Sequence, residues 1–416
     1  MSNVKVLILG SGAREHAIAD AFDRSPKTSK IYVSPGNDGI AESFECIKLE
    51  GFEEIRNFCE NTGIDLVFIG PEQPIAEGLS DYLKQHSIMV FAPSKAAAAI
   101  EYSKEFAKRI MGKYHVPTAR YRIIRDINEA ESILKCFKMP VVLKADGLAA
   151  GKGVVISSDL SEAIKSCKVL LEQNCGANGV LAEEYLDGWE VSLFAICDGE
   201  NFRTTLFAQD HKQLYDGDFG PNTGGMGAYC PVREAEEYRK YIENKILEPV
   251  LTALREEHCT YSGILYMGLM ITTEGPKVIE FNCRLGDPET QVLLPLLKTD
   301  IMDICVAACD GKVDQLKLEW DSRCAVGVVL AAPGYPGTYR KDIPISIPQL
   351  ESQLYFAGVK KTESGLRSSG GRVLTVLAIA DSLVEARDKV YADINKISFP
   401  EMVYRKDIGL RANKLS

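Results

Sequence analysis

Lys144-Ala145-Asp146-Gly147-Leu148-Ala149-Ala150-Gly151-Lys152-Gly153 sets a lysine at either end of a loop of small residues. Small residues let backbone amides approach phosphate oxygens, and the lysines add positive charge. The spacing before Gly151-Lys152 is not that of a P-loop, and Gly153 stands where a Ser or Thr would reach magnesium. A flexible hairpin with solvated lysines is the plainer alternative. Further on, Val278-Ile279-Glu280-Phe281-Asn282 reads as a strand. Alternation along it turns Glu280 and Asn282 to one face. Two hard oxygen ligands there suit a magnesium ion that also binds phosphates. Arg284 follows at the spacing that reaches a carboxylate or phosphate in the same cleft, and Asp287 and Glu289 crowd the same stretch.

Three further stretches carry weaker signals. Gly10-Ser11-Gly12-Ala13-Arg14-Glu15 invites a dinucleotide reading but puts Glu15 at its sixth position, where Gly or Ala belongs. Arg14 and His16 at a helix start point instead to an anion held by amides, the helix dipole and a guanidinium. Glu183-Glu184-Tyr185-Leu186 ends a strand whose backbone could pair with an adenine edge, with Glu190 placed for ribose hydroxyls; an ordinary strand end explains it as well. Gly220 to Gly227 is rich in glycine, and its amides could form a nest for a carboxylate or oxyanion. Upstream, Asp210-His211-Lys212 offers an acid for an ammonium group.

The elements that must position these residues are legible in outline. Apolar runs at 4–9, 30–33, 66–69 and 89–91 each lead into a polar or glycine-rich turn, as in a doubly wound sheet with its site at the strands' carboxyl ends. A helix is expected over 103–113, then a compact segment over 121–187, a long helix after Pro231 and strands at 265–272 and 277–282. A last unit begins near 325, with strands at 326–330 and 373–380 and a helix at 383–394.

The chain has 416 residues, 46% hydrophobic and 25% charged, enough for several cored domains. A net charge of -10 argues against a nucleic-acid partner, which needs a basic face. The 12 cysteines form no CxxC pair and read as reduced thiols of a cytoplasmic protein. No apolar run reaches the ~20 residues of a membrane span, so no membrane partner is expected.

Taken together, the stretches GSGAREHA, SPGNDG, GPEQP, KADGLAAGKGV, EEYLDGWE, QDHK, GPNTGGMGAY, GLMI, VIEFNCRLGDPETQ, GYPG, GGRVL and RKDIG closely resemble the phosphoribosylamine–glycine ligases of the ATP-grasp superfamily, over essentially the whole chain. Ala13 stands where that family usually has glycine. The resemblance implies an α/β fold in four units: a Rossmann-like domain over 1–102, a central ATP-grasp domain over 103–120 and 190–324, a small α+β lid over 121–189, and a C-terminal α/β domain over 325–416. It implies ATP-dependent joining of glycine to phosphoribosylamine through glycyl phosphate, with Mg2+ or Mn2+, in purine biosynthesis. Lys104, Lys144, Gly151, Lys152 and Gly153 would hold phosphates. Glu183, Glu184 and Leu186 would hold adenine, and Glu190 the ribose. Glu280 and Asn282 would bind metal. Arg284, Lys212 and Asp210 would serve catalysis, Asp210 together with Asn222, Thr223, Gly224, Gly225 and Met226 forming the glycine site. Arg14, Asn37, Glu72, Gly371, Arg372 and Lys406 would receive phosphoribosylamine. The instability of that substrate leaves room for transient contact with neighbouring purine-pathway enzymes. Two rival readings stay open at this stage: a sister ATP-grasp ligase using another carboxylate, and a non-catalytic nucleotide-binding homologue. The failed fingerprint argues against a nicotinamide oxidoreductase. No further fused enzyme domain is expected after the RKDIG stretch.

Overall fold

A computed structural model describes residues 3–147, 153–172 and 178–410. The N-terminal apolar runs form an all-parallel sheet of β1 (Val4–Gly10), β2 (Thr28–Pro35), β3 (Glu45–Cys46), β4 (Leu66–Ile69) and β5 (Val90–Phe91), in the order β3-β2-β1-β4-β5. The order reverses beside β1, so the turns after β1 and β4 face one crevice, as expected of a doubly wound sheet.

The compact segment is a four-stranded antiparallel sheet of β6 (Tyr121–Ile124), β7 (Val141–Ala145), β8 (Val154–Ser157) and β9 (Val180–Glu184). Its helices Ile127–Leu134 and Leu160–Glu172 cover it. Its core, including Ile124, Leu134, Leu143, Cys167 and Val180, is closed within the segment. A body with its own core can shift as a unit against its neighbours.

The central sheet is antiparallel: β10 (Trp189–Asp198), β11 (Phe202–Thr204), β16 (Ser262–Thr272) and β17 (Gly275–Asn282), in the order β11-β10-β16-β17. Between β11 and β16 the chain makes β12 (Gln209–Asp210), a small hairpin of β13 (Gln213–Tyr215) and β14 (Phe219–Asn222), and β15 (Gly227–Cys230). Strands β12 and β15 leave the central sheet and join β18 (Cys324–Ala331), β19 (Gln353–Phe356) and β22 (Arg372–Ala380) in one five-stranded sheet. The hairpin of β20 (Val359–Thr362) and β21 (Gly365–Ser368) stands beside it. The sheet therefore runs across the expected boundary at 325 and ties the central and C-terminal units together.

Two expected helices differ in detail. The 103–113 helix is preceded by another, Lys95–Tyr102, and Ser103 caps the second by accepting from the Phe106 amide. The long helix after Pro231 is composite: a π-helical turn, Glu243–Leu247, precedes Glu248–Glu256. Pro249 lacks an N–H and its ring crowds the preceding turn, which widens it.

Candidate active site

The centre of the cleft is a chain of opposite charges between the small sheet and the central sheet. Lys144, on β7, is buried; its Nζ lies 2.9 Å from Glu183 Oε2 and donates to the Ile279 carbonyl at 3.0 Å. That carbonyl is available because β17 bulges. Gly268 pairs with Glu280 and Leu269 with Val278, leaving Ile279 as the extra residue. Beyond the bulge the alternation resumes, and Glu280 and Asn282 share a face while Phe281 turns to the core. The expected pairing of the two oxygen ligands is thus present, in a phase set by the bulge.

Glu183 was expected to act through backbone atoms. Its side chain has a separate task, since its other oxygen lies 3.2 Å from Lys108 Nζ. Burial opposes its ionisation, yet Lys144 and Lys108 hold its carboxyl below the usual range. Lys108, which the sequence did not single out, also donates to Thr118 and Ala119, and burial lowers its ammonium to about 8. Glu184 is turned away from the cleft and accepts from the Arg120 amide at 2.9 Å; Leu186 is half-buried. Lys104 Nζ donates to the Gly147 carbonyl, and Asp146 accepts the Lys104 amide at 2.5 Å, capping the helix start. The Gly153 carbonyl accepts from the Ala145 amide, while Gly151 and Lys152 lie outside the described residues.

Next to these, Lys212 Nζ is 3.0 Å from Asp210 Oδ2 and 3.9 Å from Glu280 Oε1. Burial lowers the Lys212 ammonium, but Asp210, Tyr266, Glu280 and Glu190 overcome it and hold it well above its ordinary value. Burial raises Glu190, with Asp210 and Glu280 adding repulsion against the pull of Lys212. Glu289 reaches the same cluster, accepting from Ser192 at 3.0 Å, and burial with the Asp210 charge pushes it to about 7. Arg284 bridges two carboxylates: Nε donates to Glu72 at 3.2 Å, and Nη2 lies 3.4 Å from Glu101 Oε1. Burial opposes ionisation of Glu72, but Arg284 and Arg14 hold it below the usual range.

A second space, about 480 Å³, opens between the N-terminal and C-terminal sheets. It is lined largely by backbone and small residues of the turns at 11–13, 36–38, 357–359 and 369–370, with Asn37, Asp287 and Arg372. Arg372 is fastened by Asp287 Oδ2 at 2.8 Å and by the carbonyls of Asp287 and Gly224. Asn37 spends its amide on the Ser11 and Phe356 carbonyls and on the Gly39 and Ile40 amides. It shapes the wall and has few atoms left for a ligand. Gly371 packs under Tyr335.

Several expectations need correction. The anion site at the first helix is not there, because Glu15 occupies it. Its Oε2 accepts the Gly12 amide at 2.7 Å and its Oε1 accepts from Arg14 Nε at 2.6 Å. A Cβ added at Gly10 or Gly70 would strike the Glu15 side chain, so this carboxylate fills the space a pyrophosphate would need. His16 is equally committed: Nδ1 accepts from the Phe356 amide, and burial lowers the imidazole to about 4. Arg14 does not line the second space. Ala13 begins an intact helix, Ala13–Asp23, in place of the usual glycine.

In the expected amide nest at 222–226, the amides of 223–226 are likewise spent. The Thr223 amide donates to Lys212 O, that of Gly224 to the Tyr335 hydroxyl, that of Gly225 to Thr223 Oγ1 and that of Met226 to His211 O. Gly225 does need its glycine: φ is +111° and a Cβ would lie 2.3 Å from Pro288. Lys406 is exposed, and its backbone amide binds Asp216. The buried member of the RKD stretch is Arg405, ion-paired at 2.9 Å to Asp218 and 2.7 Å to Asp407, which clasps the β13–β14 hairpin. Glu101 and Lys108 were missed, while Asp146 was read only as part of its loop and Glu289 only as one of a crowded polar stretch, neither with a role of its own. Only their tertiary partners distinguish them from ordinary helix or turn residues.

Comparison with known proteins agrees along the whole chain. Residues 4–101, 102–290 and 325–411 match the families described as phosphoribosylglycinamide synthetase N domain, ATP-grasp (A) domain and C domain. A phosphoribosylamine–glycine ligase of Caldanaerobacter subterraneus is 46% identical over 98% of this chain and 99% of its own. One from Halalkalibacterium halodurans is 45% identical over 98% and 97%. The crystal structure of a phosphoribosylamine–glycine ligase from Thermotoga maritima superposes with a TM-score of 0.87 at 36% identity, covering 98% of this chain and all of that one. A biotin carboxylase domain from Hydrogenobacter thermophilus, solved with MgADP and bicarbonate, shares the fold at 16% identity and a TM-score of 0.73, over 100% and 94% of the two chains. A charged cleft under a separately cored sheet, full-length identity well above that needed for kinship, and a shared architecture place this chain in the phosphoribosylamine–glycine ligase family, whose members are ATP-grasp carbon–nitrogen ligases.

Proposed function

We propose that the protein joins glycine to 5-phosphoribosylamine with ATP, giving glycinamide ribonucleotide, ADP and phosphate. The observation that carries this reading is the convergence of Lys144, Lys212, Glu280, Asn282 and Arg284 in one cleft. Among the described residues no cluster of three His, Cys, Asp or Glu side chains could hold a metal by itself. Glu280 and Asn282 offer two oxygen ligands on one face, which fits a magnesium or manganese ion completing its shell with nucleotide phosphates. When bound, that ion would neutralise phosphate charge.

The other roles belong to the chain. Lys144 and Lys104 hold the phosphates of ATP, with adenine at the 183–186 strand end and ribose at Glu190. Asp210 and Glu289 receive the glycine ammonium, Lys212 balances them, and Arg284 holds the carboxylate in line with the terminal phosphoryl group. That group passes to a carboxylate oxygen as its bond to ADP breaks, giving glycyl phosphate. The amine of phosphoribosylamine then attacks the acyl carbon, loses a proton and expels phosphate. Electrostatic positioning supplies the catalysis, and no nucleophilic side chain is needed. The second space, walled by Asn37, the Ser369-Gly370 turn and Arg372, would take the phosphoribosyl group. The small sheet, with its own core, would close over the nucleotide and keep water from the acyl phosphate. No helix among the described residues is long and apolar enough to cross a membrane.

Phosphate release tests the proposal, with ATP, magnesium, glycine and freshly made phosphoribosylamine supplied together and each omitted in turn. Release should require all of them. Turnover with another acid or acceptor in place of glycine or phosphoribosylamine would move the chain to a sister reaction.

A further inference from the structure

Glu101 lies at the end of the helix Lys95–Tyr102, far in sequence from the residues it serves. Its buried carboxylate spans the two residues on either side of Cys283. Oε2 accepts the Cys283 amide at 2.6 Å and the Cys283 thiol at 2.8 Å. Oε1 lies 3.4 Å from Arg284 Nη2. The same oxygen decides how the Asn282 amide is turned. With Nδ2 facing Glu101, Asn282 donates to Oε1 at 2.9 Å and to the Phe281 carbonyl at 3.1 Å; the reverse orientation would set oxygen against oxygen. Two lone-pair-rich groups at 2.9 Å repel, so the carboxylate selects one amide rotamer and sends Oδ1 the other way.

We propose that Glu101 is a positioning residue: it turns the Asn282 amide so that oxygen, not nitrogen, is offered to the metal side of the cleft, and it anchors Arg284 beside it. This rests on the reading of Glu280 and Asn282 as metal ligands. An amide ligand, unlike a carboxylate, has a wrong end, and only a fixed acceptor behind it makes the right end face the cation. Groups behind a ligand typically govern affinity by ~10–100-fold. A purely structural role is the competing account, since Glu101 also ties its helix to the end of β17.

The test uses the full chain and Mn2+ in the presence of ADP, with free Mn2+ read by electron paramagnetic resonance and folding followed by thermal melting. Glu101→Gln should weaken Mn2+ binding by about tenfold or more, because the glutamine amide can face Asn282 with its own N–H groups and permit the wrong rotamer. In an Asn282→Asp background, where residue 282 has no wrong end, Glu101→Gln should cost less than about twofold. Equal losses in both backgrounds, or a loss under about twofold in the native one, would overturn the proposal in favour of simple structural support. Glu280→Gln separates the two levels. If it leaves Mn2+ binding unchanged, the metal-site reading itself fails and the inference falls with it. Should Glu101→Gln not fold, neutron diffraction of the native chain with Mn2+ and ADP decides. Asn282 Nδ2 toward Glu101 with Oδ1 on the metal supports the proposal, and the opposite orientation sinks it.

Discussion

The cleft beneath the small sheet and the space between the terminal sheets are built on opposite plans. In the cleft, long side chains of opposite sign wait in partial pairs: Lys144 with Glu183, Lys212 with Asp210 and Glu280, Arg284 with Glu72 and Glu101. Such pairs keep buried charges compensated until a ligand's own charges rearrange them. The second space is walled mostly by backbone. Its glycines allow close approaches, as where Gly358 and Gly370 meet, and its best polar side chain, Asn37, is already saturated. One site offers charged side chains; the other, where Arg372 is already paired to Asp287, offers mainly backbone shape. That difference suits a polyanion with a metal on one side and a sugar phosphate with a fragile amine on the other.

Substitutions can break this contrast, and the largest effect belongs to the charged side. Lys144→Met should lower phosphate release by about 10²–10³-fold. Its melting temperature should fall too, since Glu183 keeps only Lys108. An activity loss below tenfold would mean the cleft does not hold the reacting phosphates. On the shape side, Gly358→Ala adds a Cβ 2.4 Å from Gly370 Cα, a backbone atom with no easy retreat. It should cost about 1–3 kcal/mol in urea unfolding and raise the KM for phosphoribosylamine more than that for ATP. Equal effects on both substrates would dissolve the proposed division of labour.

Glu289 sharpens the comparison through pH. Its carboxyl is raised to about 7 by burial and by Asp210. The folded chain therefore holds a proton that the unfolded chain has released above its ordinary pKa. The stabilisation is full below that ordinary value and is lost as pH rises toward 7. Relative to Glu289→Gln, the native protein should lose stability across that window by on the order of 1 kcal/mol per pH unit. Parallel melting curves from pH 5 to 7.5 would show that Glu289 is not desolvated as described. The smallest effect is expected at Lys406, exposed and outside both sites. Lys406→Ala should change unfolding free energy by no more than about 0.5 kcal/mol and leave both KM values alone; a rise for phosphoribosylamine would restore it to that site.

The sequence by itself determined what residue type and short-range pattern can encode. Continuous apolar runs ending in glycine specified the parallel sheet, because buried parallel strands need that composition. Alternation put Glu280 and Asn282 on one face, and a missing glycine at position 15 argued against a dinucleotide site on the N-terminal sheet. The tertiary structure decided what depends on partners distant in sequence or on the backbone itself. It placed Glu101 behind Asn282, Glu15 in the crevice between β1 and β4, and Arg405 rather than Lys406 in the interior. It also spent the 223–226 amides that looked free. A backbone N–H carries no residue signature, and a buried carboxylate declares its role only through the groups folding brings against it.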